Sequence, residues 1–239
     1  MSTLEGKKAL ITHAGDGLGF AIAIALGQQG AALVVHDASA AVAGAAAERL
    51  KLAIPKVGVS AVSSDLSSEA GRQELYASAR DIDIFVSDSV GQTVTDFSQV
   101  AQTRDDRWHE ASNRQSQTLA SGFSQTMDSQ GWGRIFLVTS VDPQTSALAS
   151  DYVEASARLV PYEVDPPASG AGVIAYRLPV ATLILEPVAD VMKSEVMRTG
   201  RTLSEVADQF ERDHRPADIQ KAAREIAWLT RLITDACQP

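Results

Sequence analysis

The chain has 239 residues, 45% of them hydrophobic and 5% aromatic, which is enough for one large α/β domain with a substantial core. A formal net charge of −9 argues against a nucleic-acid backbone as partner, and one cysteine, Cys237, excludes an internal disulfide framework and fits a reducing, cytoplasmic setting. The opening MSTLEGKKALIT lacks the apolar run of a secretory signal, and no uninterrupted apolar stretch of about 18 residues is present to span a membrane.

In chain order, short and nearly continuous apolar runs at 9–12, 32–35, 57–62, 82–86, 135–139 and 173–178 predict strands buried on both faces. Helical spacing between and after them predicts helices over 19–29, 40–52, 69–79, 107–129 and 203–232. Strand–helix alternation of this kind gives a doubly wound, mostly parallel sheet covered on both sides. Pro166 and Pro167, in PYEVDPPASGAG, must cut short a helix that begins near Tyr152. The final helix, 216–232, places Ile219, Ala223, Ile226, Leu229 and Ile233 on one face, and the TDACQP that follows Ile233 leaves little room for a further strand.

The first unit is the most telling. ALITHAGDGLGFAIAIALGQQGAALVVHDAS reads as strand, glycine turn, helix, strand and terminal acid, the opening of a dinucleotide-binding fold, but with His13 where the first glycine belongs. With LEGKKALIT, DIDIFV, GWGRIFLVTS, GVIAYRLPVAT and HRPADIQKAAREIAWL in this order, the chain resembles the short-chain dehydrogenase/reductase family over nearly its whole length. The resemblance implies a single Rossmann-like domain over 1–239, here lacking the usual C-terminal strand.

In that family the first turn is similar to Thr-Gly-x-x-x-Gly-x-Gly, and here it is Thr12-His13-Ala14-Gly15-Asp16-Gly17-Leu18-Gly19. Gly17 and Gly19 match. His13 adds bulk beside the adenosine moiety, Asp16 adds negative charge near a diphosphate, and Gly15 offers compensating flexibility. Asp37, at the end of the second strand, matches the acid that accepts from the adenosine ribose and favours NAD, and Asp65 matches an acid near the adenine. Both are also common turn chemistry. The family's Asn-Asn-Ala-Gly after the fourth strand is Ser87-Asp88-Ser89-Val90, which puts a β-branched side chain where backbone runs close to the cofactor.

Catalysis in the family uses a serine, a tyrosine and a lysine four residues beyond the tyrosine. Ser140 and Tyr152 match the first two, and the lysine position is Ser156. Without that cation the Tyr152 phenol stays near its ordinary value of about 10, a poor base at neutral pH. Arg158 points away from Tyr152 on a regular helix, Asn113 is out of register for the family's supporting asparagine, and Pro179-Val180 replaces its Pro-Gly. His36, His109 and His214 lack metal-ligand spacing and read as surface or satisfied core histidines. Trp108, Trp132 and Trp228 are expected on helices or at an interface, and SEVADQFERDHR reads as a solvated helix face.

These departures touch separate parts of one site while the core-forming residues stay intact. The expectation is a catalytically inactive subunit, with Ser140, Tyr152, Gly15, Gly17, Gly19, Asp37 and Asp65 as remnants, no cofactor or weak NAD, and no metal. Its expected partner is an active paralogue in a hetero-oligomer such as a heterotetramer, with no nucleic acid and no membrane. Heteromeric family members with one inactive subunit include the hydroxyacyl-CoA dehydrogenase of the benzylsuccinate route of anaerobic toluene breakdown. Two alternatives remain open at this point. One is a lyase similar to the halohydrin dehalogenases, suggested by THA, VVHDAS and FVSDS, although those enzymes carry an arginine where Ser156 stands. The other is an active NAD-dependent alcohol dehydrogenase with Arg158 or Arg177 recruited to Tyr152.

Overall fold

A computed structural model describes residues 4–88, 106–140, 160–161, 172–180, 182–213 and 217–237. Its strands are β1 (Lys8–Ile11), β2 (Ala32–Asp37), β3 (Val59–Ser63), β4 (Ile84–Asp88), β5 (Gly133–Ser140), β6 (Val160–Pro161) and β7 (Val173–Val180). Its helices are α1 (Gly17–Gln28), α2 (Ala40–Ala53), α3 (Glu69–Ser78), α4 (Asp106–Gln130), α5 (Thr182–Thr199), α6 (Leu203–Arg212) and α7 (Ala217–Ala236). The sheet runs β3-β2-β1-β4-β5-β7-β6, parallel throughout except where the short β6 pairs antiparallel with β7.

Side chains alternate across the central strands and so feed two cores. Ala9, Ile11, Leu33, Val35, Ile84, Val86, Phe136 and Val138 face one side, where they meet α1, α2, α5, α6 and α7. Leu10, Val34, Phe85, Ile135 and Leu137 face the other, against α3 and α4. This two-sided burial is why the strands read as unbroken apolar runs. Helix α1, GLGFAIAIALGQ, is buried at every position except Gln28, so its small residues bring the backbone close to the strands.

Local signals set the helix starts. Ser39 caps α2 by accepting from the Val42 N–H, and Ser68 caps α3 by accepting from the Gly71 N–H. Thr202 and Glu205 form a reciprocal capping box at α6. The helical stretch over 203–232 divides into α6, ending at Arg212, and α7, which begins at Ala217, one residue after the predicted start of the final helix. The SEVADQFERDHR stretch is solvated on one side only, because Val206, Ala207 and Phe210 sit in the core. Helix α5 was not anticipated as an element. Ile226, Leu229 and Ile233 of the predicted α7 face are buried, and no strand follows Ala236 among the described residues. Arg134 holds that end, donating from Nε to the Ala236 carbonyl at 2.9 Å while its guanidinium lies over the Trp132 ring. Trp132 therefore packs between charged groups, with Lys7 Nζ also 3.8 Å from its ring centre, instead of on a helix.

Candidate functional site

In a doubly wound sheet the ligand crevice opens at the carboxyl ends of the strands where the strand order reverses, here between β1 and β4. The turn after β1 reaches into this position. His13 has φ of +51°, the one non-glycine residue with positive φ among those described, so the backbone keeps the left-handed shape that glycine usually supplies. Its imidazole turns across the crevice, and Nδ1–H donates to the Asp88 carbonyl at the end of β4 over 2.7 Å. A carbonyl can only accept, so the proton is on Nδ1. The Thr12 hydroxyl accepts from the Asp88 N–H at 3.0 Å, and Ala14 N–H donates to the His36 carbonyl at 3.0 Å. The turn is thus tied to both neighbouring strands.

His36 lies beside it, with ring centres 5.9 Å apart and planes perpendicular. His36 is fully buried, and its Nε2 donates to the Ser64 carbonyl at 3.1 Å. Its Nδ1 has no hydrogen-bond partner among the described residues, so it is not the satisfied core histidine that was expected. Burial, and then the neighbouring His13, push the His36 pKa down to about 4. Burial also lowers that of His13, against the opposing pull of the Asp88 carbonyl and the Asp37 charge.

The glycines have separate duties. Gly17 has φ of +55°, which favours glycine at the first position of α1. A Cβ on Gly19 would stand 2.8 Å from the His13 carbonyl oxygen and 3.0 Å from Asp88 Oδ2, so glycine there lets α1 pass close under the turn. Gly15 is needed for space, because a Cβ there would run into the side chains of Val42 and Asp37. Asp37 Oδ1 accepts from the Ser39 N–H at 3.0 Å, which opens α2. Asp65 is exposed and accepts from both the Ser67 N–H and hydroxyl, and these bonds hold its carboxyl below the usual range.

At the start of α1 the charge of Asp16 is not left facing a ligand. Its Oδ1 accepts from Lys193 Nζ at 2.7 Å and from Arg49 Nη1 at 3.2 Å. Partial burial raises its pKa, but Lys193 and then Arg49 reverse this, and the net shift is downward. Lys193 also donates to Asp190 Oδ1 at 2.6 Å, and the same oxygen accepts from the Gly17 N–H at 3.1 Å. Phe20, fully buried below, has the Arg49 guanidinium 4.3 Å and the Lys193 ammonium 5.5 Å from its ring centre.

Ser140 is the last residue of β5, but its side chain lies outside the described residues, as do Tyr152, Ser156, Arg158 and Val90. Asn113 falls within α4, and Arg177 and Val180 within β7, with their side chains likewise outside the description. His109 and Trp108 lie on α4, His214 lies outside, and Trp228 on α7 is exposed. Among the described residues no three metal-ligating side chains gather, and no helix is long and apolar enough to cross a membrane. Asp190, Lys193 and Arg49 escaped sequence reasoning. They come from α5 and α2, and only the tertiary fold brings them to α1.

The chain is similar to several known proteins. The curated relative matched is an uncharacterized oxidoreductase of Bacillus subtilis (strain 168), YvaG, 22% identical over 222 residues that cover 90% of this chain and 83% of that one. Similar solved structures include L-sorbose reductase from Gluconobacter frateurii, complexed with NADPH and L-sorbose, at 23% identity and a TM-score of 0.49, covering 66% of this chain and 64% of that one. Another is a hydroxysteroid dehydrogenase from Escherichia coli at 27% identity and a TM-score of 0.49, covering 64% of each chain. The match thus spans less than two thirds of either solved structure. The family model for short chain dehydrogenases matches residues 7–155, more than half of the chain and the whole run from β1 through β5. The chain belongs to the short chain dehydrogenase family.

Proposed function

We propose that this chain is a non-catalytic member of its family that binds NAD weakly or not at all. In this reading it serves as a structural subunit of a hetero-oligomer with an active paralogue. The observation that carries the proposal is the His13 bridge: an imidazole from the end of β1 bonded to the carbonyl at the end of β4, across the crevice where a dinucleotide would lie. Other groups that a dinucleotide would recruit already have partners within the chain. The Gly17 N–H serves Asp190, one Asp37 oxygen serves Ser39, and Asp65 serves Ser67. A dinucleotide seated here would have to displace the His13–Asp88 and Gly17–Asp190 bonds.

The sequence supports the loss of chemistry separately. Serine at 156 carries no positive charge, so the cation that the family places four residues beyond its tyrosine is missing. Retention of two full cores beside an impaired site is what selection for shape leaves behind. The hydroxyacyl-CoA dehydrogenase of the benzylsuccinate route, with its inactive subunit, is the setting we propose, on resemblance alone. In the described half of α4 the exposed positions are polar, among them Arg114, Thr118 and Gln125. An apolar outer stripe on that half is therefore not available for assembly. Val191 on α5 and Trp228 on α7 are the exposed apolar side chains to test instead.

The test is co-expression with the product of a neighbouring dehydrogenase gene, followed by measurement of stoichiometry and turnover. Tyr152→Phe in this chain should leave turnover of the complex nearly unchanged, and Trp228→Glu should reduce assembly. Loss of turnover in an intact Tyr152→Phe complex would refute the non-catalytic role.

A further inference from the structure

The start of α1 carries a second feature, independent of the His13 bridge. The Gly17 N–H is one of the donors that no helix can satisfy internally, and it lies at the positive end of the helix dipole. In this fold such an N–H commonly meets an external anion. Here it meets the carboxylate of Asp190, delivered from α5 across 173 positions of sequence. Lys193, one helical turn further along α5, is almost wholly enclosed, its side chain being 7% exposed, and it grips Asp190 and Asp16 together. Arg49 reaches the same Asp16 from α2 and also touches the Gly15 carbonyl at 3.4 Å. Two cations therefore already face two carboxylates over the Phe20 ring.

We propose that Asp190 is a built-in carboxylate plug, occupying the α1 N-terminus in place of an external phosphate and latching α5 onto α1 through Lys193. The plug deepens the reading that the chain does not use a dinucleotide, and it gives that reading a mechanism beyond the lost glycine. Asp190 brings its own charge to the helix end, so an incoming diphosphate meets like-charge repulsion as well as an occupied donor. The plug is also removable in principle, because the Asp190 side chain is half exposed while the lysine beneath it is not.

The experiment titrates inorganic pyrophosphate into the purified full chain at low salt by calorimetry. Wild type, Asp190→Ala, Asp190→Asn and Asp190→Ala with Lys193→Ala are compared. The expected result is no measurable binding to wild type and binding to Asp190→Ala tighter than the wild-type detection limit by about two- to thirtyfold, the range one charge at a helix end is worth. The added Lys193→Ala should abolish the gain. Asp190→Asn keeps the side-chain size and an acceptor for Gly17 while removing the charge. It should also gain, and it decides the matter if Asp190→Ala does not fold. A folded charge-free variant that binds no better than wild type would overturn the plug. That outcome would leave the non-catalytic reading standing if Tyr152→Phe still spared the activity of the complex, and activity loss in Tyr152→Phe would sink that reading whatever pyrophosphate does.

Discussion

Restoring the family's glycine at position 13 should weaken this protein, and the structure says by how much. At φ of +51° the His13 backbone carries left-handed strain, and glycine relieves about 1–2 kcal/mol of it. The greater freedom of glycine in the unfolded chain takes back about 0.4–1 kcal/mol. Loss of the hydrogen bond to the Asp88 carbonyl removes about 1 kcal/mol. Emptying the space of a partly buried ring that packs on His36 costs roughly 1–2 kcal/mol more, below the range for a fully buried large side chain. The balance is a net destabilisation of about 1.7 kcal/mol, which for a domain of this size lowers the melting temperature by about 3–7 °C. Urea unfolding of His13→Gly against wild type measures it, with NAD titrated into both. A glycine variant more stable than wild type would show that the histidine is mere erosion and that the bridge holds nothing together. The glycine by itself is not expected to restore NAD binding, because Asp190 still holds the Gly17 N–H.

Acid should also find the crevice. With a folded-state pKa of about 4 against the ordinary 6.5 of histidine, His36 binds its proton in the unfolded chain first, so stability is complete above about pH 6.5 and falls as pH drops toward 4. The loss approaches about 3 kcal/mol, read from urea midpoints across this window, and His36→Gln should flatten it while keeping a donor toward the Ser64 carbonyl. Gly19→Ala should destabilise the fold by about 1–2 kcal/mol, since overpacking against the His13 carbonyl and Asp88 outweighs the better helix propensity of alanine. Gly44→Ala on α2, where an added Cβ meets nothing within 4 Å, should instead stabilise it by about 1 kcal/mol in the same unfolding assay.

Much of this architecture was legible in the residues. Strands such as ALI at 9–11 and IFV at 84–86 announce themselves because a parallel sheet buried on both faces needs no polar alternation. The glycine turn before α1 could be read in the same way. Helix α5 was harder, because Pro187 interrupts its pattern, although Val188, Met192 and Val196 keep helical spacing and are buried. The split of the last helical stretch had a signal in Pro216, a residue suited to a helix start, and another in the Thr202–Glu205 capping box. In the site, sequence found the positions of His13 and Asp16 but not their partners. Both gaps have one cause. The Asp88 carbonyl, Lys193 and Asp190 are distant in sequence, and hydrogen bonds made by tertiary folding leave no local pattern.

The most direct measurement is a calorimetric titration of NAD and of NADH into the isolated, folded wild-type chain. A crevice bridged by His13, with the start of α1 filled by Asp190, predicts no saturable binding up to millimolar cofactor. Micromolar binding at one site per chain would contradict the account and return the protein to the dinucleotide-using members of its family.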